Sequence, residues 1–78
     1  MTRSEAVKRI EQLLPKYNGG WIPNWDECSL KLCITRNRND IILSNTTYDY
    51  HLLTFNTWRA RTKFVNEQES LIRSYLFG

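Results

Sequence analysis

The hydrophobic period of this chain changes twice, from helical to alternating and back to helical, and that order restricts the architecture more than any other feature. Over Thr2 to Leu14, the apolar residues Ala6, Val7, Ile10, Leu13 and Leu14 recur at helical spacing, with Arg3, Lys8, Arg9, Glu11 and Gln12 on the other side. Thr2 followed by Glu5 has the form of a capping box. Pro15 restricts Leu14 and supplies no N–H, so the helix is expected to end there. From Ser29 to Arg36 the period becomes two, with Leu30, Leu32 and Ile34 alternating against Ser29, Lys31, Cys33 and Thr35. This is the pattern of a half-buried strand. Asn37-Arg38-Asn39-Asp40 reads as a turn and Ile41-Ile42-Leu43 as the returning strand of a hairpin, while Ser44 to Thr47 fits either more strand or a second turn. Tyr48 to Phe55 reads as a third strand, with Tyr48, Tyr50 and Leu52 on one face and Leu53 and Phe55 on the other.

Helical spacing returns after Asn56-Thr57, either of which can cap, and continues to about Leu76. Ala60, Phe64, Leu71, Ile72, Tyr75 and Trp58 fall with their apolar neighbours inside an arc of roughly 160°. Arg59, Thr62, Lys63, Asn66, Ser70 and Arg73 occupy the opposite arc, and Arg61, inside the apolar one, is expected to snorkel outward. The expected fold is therefore α+β, in the order α-β-β-β-α. A three-stranded antiparallel sheet, most simply a meander, packs against a long C-terminal helix in a single domain over residues 1–78.

Between the first helix and the first strand, Tyr17 to Asp26 carries Asn18-Gly19-Gly20 and Pro23 between Trp21 and Trp25. These residues specify an ordered loop with at least one indole folded onto the core.

A domain of 78 residues buries only about 60–65% of its unfolded surface, so a deep catalytic pocket would consume most of its core. Catalytic chemistry finds little material. His51 is the only histidine; with Asp49 on its strand and Cys33 across the hairpin it forms a conceivable triad, but no motif surrounds it. The pairs Asp26-Glu27 and Glu67/Glu69 do not converge. Gly19-Gly20 lacks the spacing of a phosphate-binding loop. Two cysteines and one histidine do not make a structural zinc set. The expectation is a non-enzyme with no cofactor and no metal. Cys28 and Cys33 sit at an odd offset and read as reduced thiols. The charged N-terminus is unlike a signal peptide and no run approaches the ~20 apolar residues of a membrane span. A cytoplasmic protein that does not engage a membrane is expected.

The net charge of +3 favours an acidic partner, whether RNA, DNA or an acidic protein surface. Three basic clusters stand out: Arg3, Lys8 and Arg9; Arg36 and Arg38 at the hairpin tip; Arg59, Arg61 and Lys63 at the start of the last helix. Cations at a helix N-terminus oppose the macrodipole, so the last cluster has a local cost that a binding role would explain. Trp25, Tyr48 and Tyr50 could offer rings for stacking.

The segments Gly20-Trp21-Ile22-Pro23-Asn24-Trp25-Asp26, the strand Lys31 to Ile34, Leu53-Thr54-Phe55-Asn56-Thr57 and the closing Leu71-Ile72-Arg73-Ser74-Tyr75-Leu76 together carry a resemblance. The chain resembles, over roughly residues 20–76, a family of small phage and prophage proteins, mostly from Bacteroidota. That family has a W-x-P-[DN]-W segment, a β-meander, F-x-[ST] and a final helix. This sequence departs from it in being basic at the hairpin tip and in the last helix. The resemblance implies a mobile-element setting, where small single-domain proteins include non-enzymatic inhibitors of host defence such as anti-CRISPR proteins. It implies a host protein or ribonucleoprotein partner, an RNA-guided nuclease or its guide RNA, and it carries over no catalytic residue. The expected binding residues are Arg36, Arg38, Arg59, Lys63 and Arg73, with Trp25 and Tyr48 as aromatic anchors. A stand-alone RNA- or DNA-binding module is the alternative, and exposed tryptophan would also suit a homodimer interface.

Overall fold

A computed structural model describes residues 1–78. It contains three helices, α1 (Arg3–Tyr17), α2 (Trp58–Glu67) and α3 (Glu69–Phe77), and three strands, β1 (Lys31–Asn37), β2 (Asp40–Thr46) and β3 (Thr54–Phe55). The α+β class and the three-stranded antiparallel sheet are as the sequence leads one to expect.

The capping box forms at the start of α1. The Glu5 N–H donates to the Thr2 hydroxyl at 3.1 Å, and the Thr2 N–H donates to the Glu5 carboxylate at 3.0 Å. Pro15 does not end the helix. It lies in the last turn, where its missing N–H removes a single bond, and the helix runs on to Tyr17. The end is set instead by Asn18, whose N–H donates to the Leu14 carbonyl, and by Gly19 and Gly20, whose φ of 60° and 85° glycine adopts without strain.

The hairpin closes in register, Asn37 opposite Asp40 and Lys31 opposite Thr46, so the ambiguous Ser44–Thr46 stretch is strand. Its two-residue turn places Arg38 at φ 58°, a conformation normally left to Gly or Asn. The sheet is not a meander. β1 is central, with β2 on one side and β3 on the other. Nor does a third strand fill Tyr48–Phe55; only Thr54 and Phe55 pair, opposite Cys33 and Leu32. Hydroxyls divert the rest of that segment. Thr46 bonds both the N–H and the carbonyl of Asp49, and Thr54 donates to the His51 carbonyl. Such local side-chain bonds compete with a ladder for the same backbone groups.

The alternation in β1 is also not that of a half-buried strand. Lys31 and Cys33 are fully buried, as is Ile34, whereas Leu30, just before the strand, is 66% exposed. Successive residues Cys33 and Ile34 point to opposite faces and are both buried, so β1 has no outward face for period two to identify.

The single long C-terminal helix is broken. Gln68 adopts φ −126°, ψ 31° and separates α2 from α3. A straight helix over Trp58–Phe77 would be about 30 Å long, close to the 33 Å of the whole molecule's longest axis. The break lets α3 fold back against α1. It is held by the Gln68 amide donating to the Tyr17 hydroxyl at 3.2 Å while that hydroxyl donates to Glu67 at 2.7 Å. Burial, reinforced by the Glu67 carboxylate, raises the Tyr17 phenol above its usual range. The core combines Ala6, Ile10 and Leu13 of α1, Ile34, Leu53 and Phe55 of the sheet region, Ala60 and Phe64 of α2, and Leu71 and Ile72 of α3. Phe64 stacks against both Tyr17 and Phe55.

Candidate binding surface

Strand spacing separates the seven sequence-predicted residues. Arg36 and Lys31 lie five positions apart in β1, about 17 Å along the strand. Groups at the hairpin tip therefore cannot share a compact site with groups at the Lys31 end.

At the tip, Arg36 and Arg73 converge on Phe77, their guanidinium carbons 5.5 Å and 5.8 Å from its ring centre. Arg36 also donates to the Leu76 carbonyl at 2.8 Å, and Arg73 pairs with Glu69 at 3.1 Å. Arg36, from β1, fastens the end of α3 to the hairpin, whereas Arg73 makes both of its contacts within α3. Arg38 sits alone in the turn, exposed.

At the opposite end, Lys31 organises the tryptophan loop. Its Nζ donates to the carbonyls of Glu27 (3.0 Å), Ser29 (3.0 Å) and Thr47 (2.6 Å) and lies 5.2 Å from the centre of the Trp25 ring. Three acceptors match the three donors of an ammonium. Lys31 thereby joins the loop before β1 to the loop after β2. Trp25 is half-buried in this arrangement and packs on Tyr50 at 5.3 Å. Tyr48 and Tyr50 are 57% and 67% exposed, so the Trp25–Tyr50 pair and the nearby Tyr48 each offer ring surface to solvent. Tyr48 contacts the exposed Cys28, and that hydrogen bond, with slight burial, raises its phenol above the usual range. The sequence identified the rings here but missed Lys31, the residue that fixes them. Its one signal was a cation in an otherwise uncharged strand pattern, Ser29 to Thr35.

The third region is the outer face of α2. Arg59 and Lys63, one turn apart, are both exposed, and Lys16 at the end of α1 joins Lys63 and Glu67 at a shallow depression. Together with Lys8 and Arg38, these are the cations whose side chains make no hydrogen bond, ion pair or ring contact; each of the others has one. Trp58, expected in the buried arc, is instead 65% exposed beside Arg59. With Leu30, Leu32, Asn56 and Thr57 it lines an open groove of about 610 Å³. Arg61 turns inward, donating to the Ser44 carbonyl at 2.9 Å, and does not snorkel to solvent; its Nε is buried without a partner.

The possible triad loses its nucleophile. Burial pushes the Cys33 thiol up, against the smaller opposing effects of Arg61 and Ser44, and a buried, protonated thiol is a poor attacking group. No three His, Cys, Asp or Glu side chains gather as metal ligands. No helix is long and apolar enough to cross a membrane. Comparison with protein-family models, with curated proteins and with solved structures finds no match to this chain.

Proposed function

We propose that this chain is a non-enzymatic inhibitor of a host defence system, of the phage-encoded anti-CRISPR kind, which binds an RNA-guided nuclease or its guide through the outer face of α2. The observation that carries this reading is the adjacency of unpaired Arg59 and Lys63 to exposed Trp58 and the Leu30–Leu32 groove. Trp and Arg beside an apolar recess are the usual composition of a protein-binding hot spot. Cations next to them suit a partner surface that itself handles nucleic acid. A binder of naked nucleic acid typically neutralises about 6–10 phosphates. Arg59, Lys63 and Lys16 fall short of that, which favours a protein or ribonucleoprotein. Arg36 and Arg73, committed to Phe77 and Glu69, are secondary in this reading, and Arg38 lies outside the α2 face.

The test is affinity capture from nuclease-treated bacterial lysate with the native chain and an Arg59→Glu, Lys63→Glu variant. Acidic groups near the start of α2 suit the helix dipole, so the variant keeps its fold. One stoichiometric partner lost with the variant is expected; equal capture by both refutes the site.

The Trp25–Tyr50 pair and the exposed Tyr48 favour the second reading, a stand-alone module that stacks single-stranded bases. It requires a salt-sensitive shift of a naked oligonucleotide, abolished by Tyr48→Ala with Tyr50→Ala.

A further inference from the structure

The two edges of the sheet differ. The β3 edge is short and covered: the Asn18 amide donates to the Thr54 carbonyl at 3.0 Å, and its oxygen accepts from the Asn56 N–H at 3.4 Å. The β2 edge is seven residues long and open. Asn37 and Asp40 close the two-residue turn as a bonded pair, so in antiparallel geometry alternate β2 residues direct their N–H and carbonyl groups away from β1. These outward residues are Ile41, Leu43 and Asn45. Folded proteins usually protect such an edge with lysine, proline or a bulge. Ile41 to Thr46 contains no charge and no proline, its register with β1 is unbroken, and Leu43 is 49% exposed.

We propose that β2 pairs antiparallel with β2 of a second copy of this chain, about a two-fold axis at Leu43. This register places Leu43 opposite its own copy and Ile41 opposite Asn45, so every outward backbone group in the segment finds a partner. Asp40, the only charge in β2, falls opposite Thr46, and no like charges meet. The ends are complementary as well. Arg38, a cation with no partner in its own chain, is carried toward the Tyr48–Asp49 end of the other strand, where Tyr48 is exposed and the Asp49 carboxylate makes no ion pair. The contact occurs twice by symmetry. Because the β3 edge is covered, pairing stops at two copies and no filament grows. The α2 face remains outside the strand pairing, so the dimer is independent of the function proposed above.

The solution mass, measured by light scattering over roughly 1 µM to 1 mM, is the test. The expected result is a concentration-dependent rise from 9.3 kDa to twice that value. Leu43→Lys, which opposes two ammonium groups at the axis, should hold the chain at single mass with an unchanged circular dichroism spectrum. Asn45→Pro deletes an outward N–H at an edge position where proline is tolerated, and should do the same if the lysine variant fails to fold. A native chain that stays at single mass throughout overturns the proposal, as does a folded variant that still doubles. Saturation by an added peptide strand without any self-association would also overturn it, by assigning the edge to a different occupant.

Discussion

Replacing Lys31 with methionine tests whether a buried ammonium holds the tryptophan loop to the sheet. The native Nζ is fully enclosed and satisfied by three carbonyls at 2.6–3.0 Å. Bonds of this charge-assisted kind contribute about 1.5–3 kcal/mol each, of which the desolvation of the ammonium offsets a large part. Methionine fills similar volume and removes the charge, but it leaves the carbonyls of Glu27, Ser29 and Thr47 facing a methyl group. A buried acceptor without a partner costs about 1–3 kcal/mol. Glu27 and Ser29 lie in an exposed loop that water can reach, so a net loss of about 3 kcal/mol is expected rather than the full penalty. A domain of this length has roughly 4–12 kcal/mol in total. With a urea dependence of about 1–1.5 kcal/mol/M, the unfolding midpoint should fall by about 2–3 M. Urea titration read by tryptophan fluorescence and by circular dichroism measures the shift. Because Trp25 packs on the Lys31 ammonium, the fluorescence of the folded variant should also change. A loss below about 1 kcal/mol would refute the reasoning, since it would mean the carbonyls are as well served by water as by the ammonium.

Thiol labelling of the folded chain should modify Cys28 alone, with Cys33 reacting only in denaturant, because Cys33 is buried with its thiol pushed up; two fast-reacting thiols would contradict the packing of β1. Arg38→Gly should stabilise the hairpin by about 1 kcal/mol, the cost of a left-handed conformation in a residue with a Cβ, as measured by the urea midpoint. The capping box holds the Glu5 carboxyl below its ordinary 4.5, the Thr2 N–H being the main cause. A depressed pKa stabilises the fold above the unfolded value, and that contribution fades as pH falls through the folded one. The melting temperature of Glu5→Gln should therefore lie below the native one at pH 7, with the gap closing in acid.

Local chemistry made part of this protein legible in its sequence. Thr2 and Glu5 are three residues apart and complete their own cap; Asn37 to Asp40 sets the hairpin register; Thr57 caps α2 by accepting from the Ala60 N–H. Each depends on groups within one turn of chain, so spacing alone specifies it. The rest required partners from far away. Lys31 is buried because Thr47, sixteen residues on, supplies its shortest bond. Gln68 breaks the final helix where Tyr17, fifty-one residues earlier, takes its amide. Trp58 lies in the helix's apolar arc yet faces solvent, because periodicity gives the side of a helix but not how far its neighbours extend to cover that side. For the same reason the basic residues of the sequence divided only in three dimensions, Arg36 fastening the hairpin to Phe77, Arg73 pairing within α3, and Arg59 and Lys63 remaining free. The sequence by itself determined the capped first helix, the hairpin around Asn37–Asp40 and the helix start at Thr57. Tertiary structure alone decided which strand is central, which cation is buried and which surface is left to bind, because those depend on hydrogen-bond and packing partners that sequence spacing does not identify.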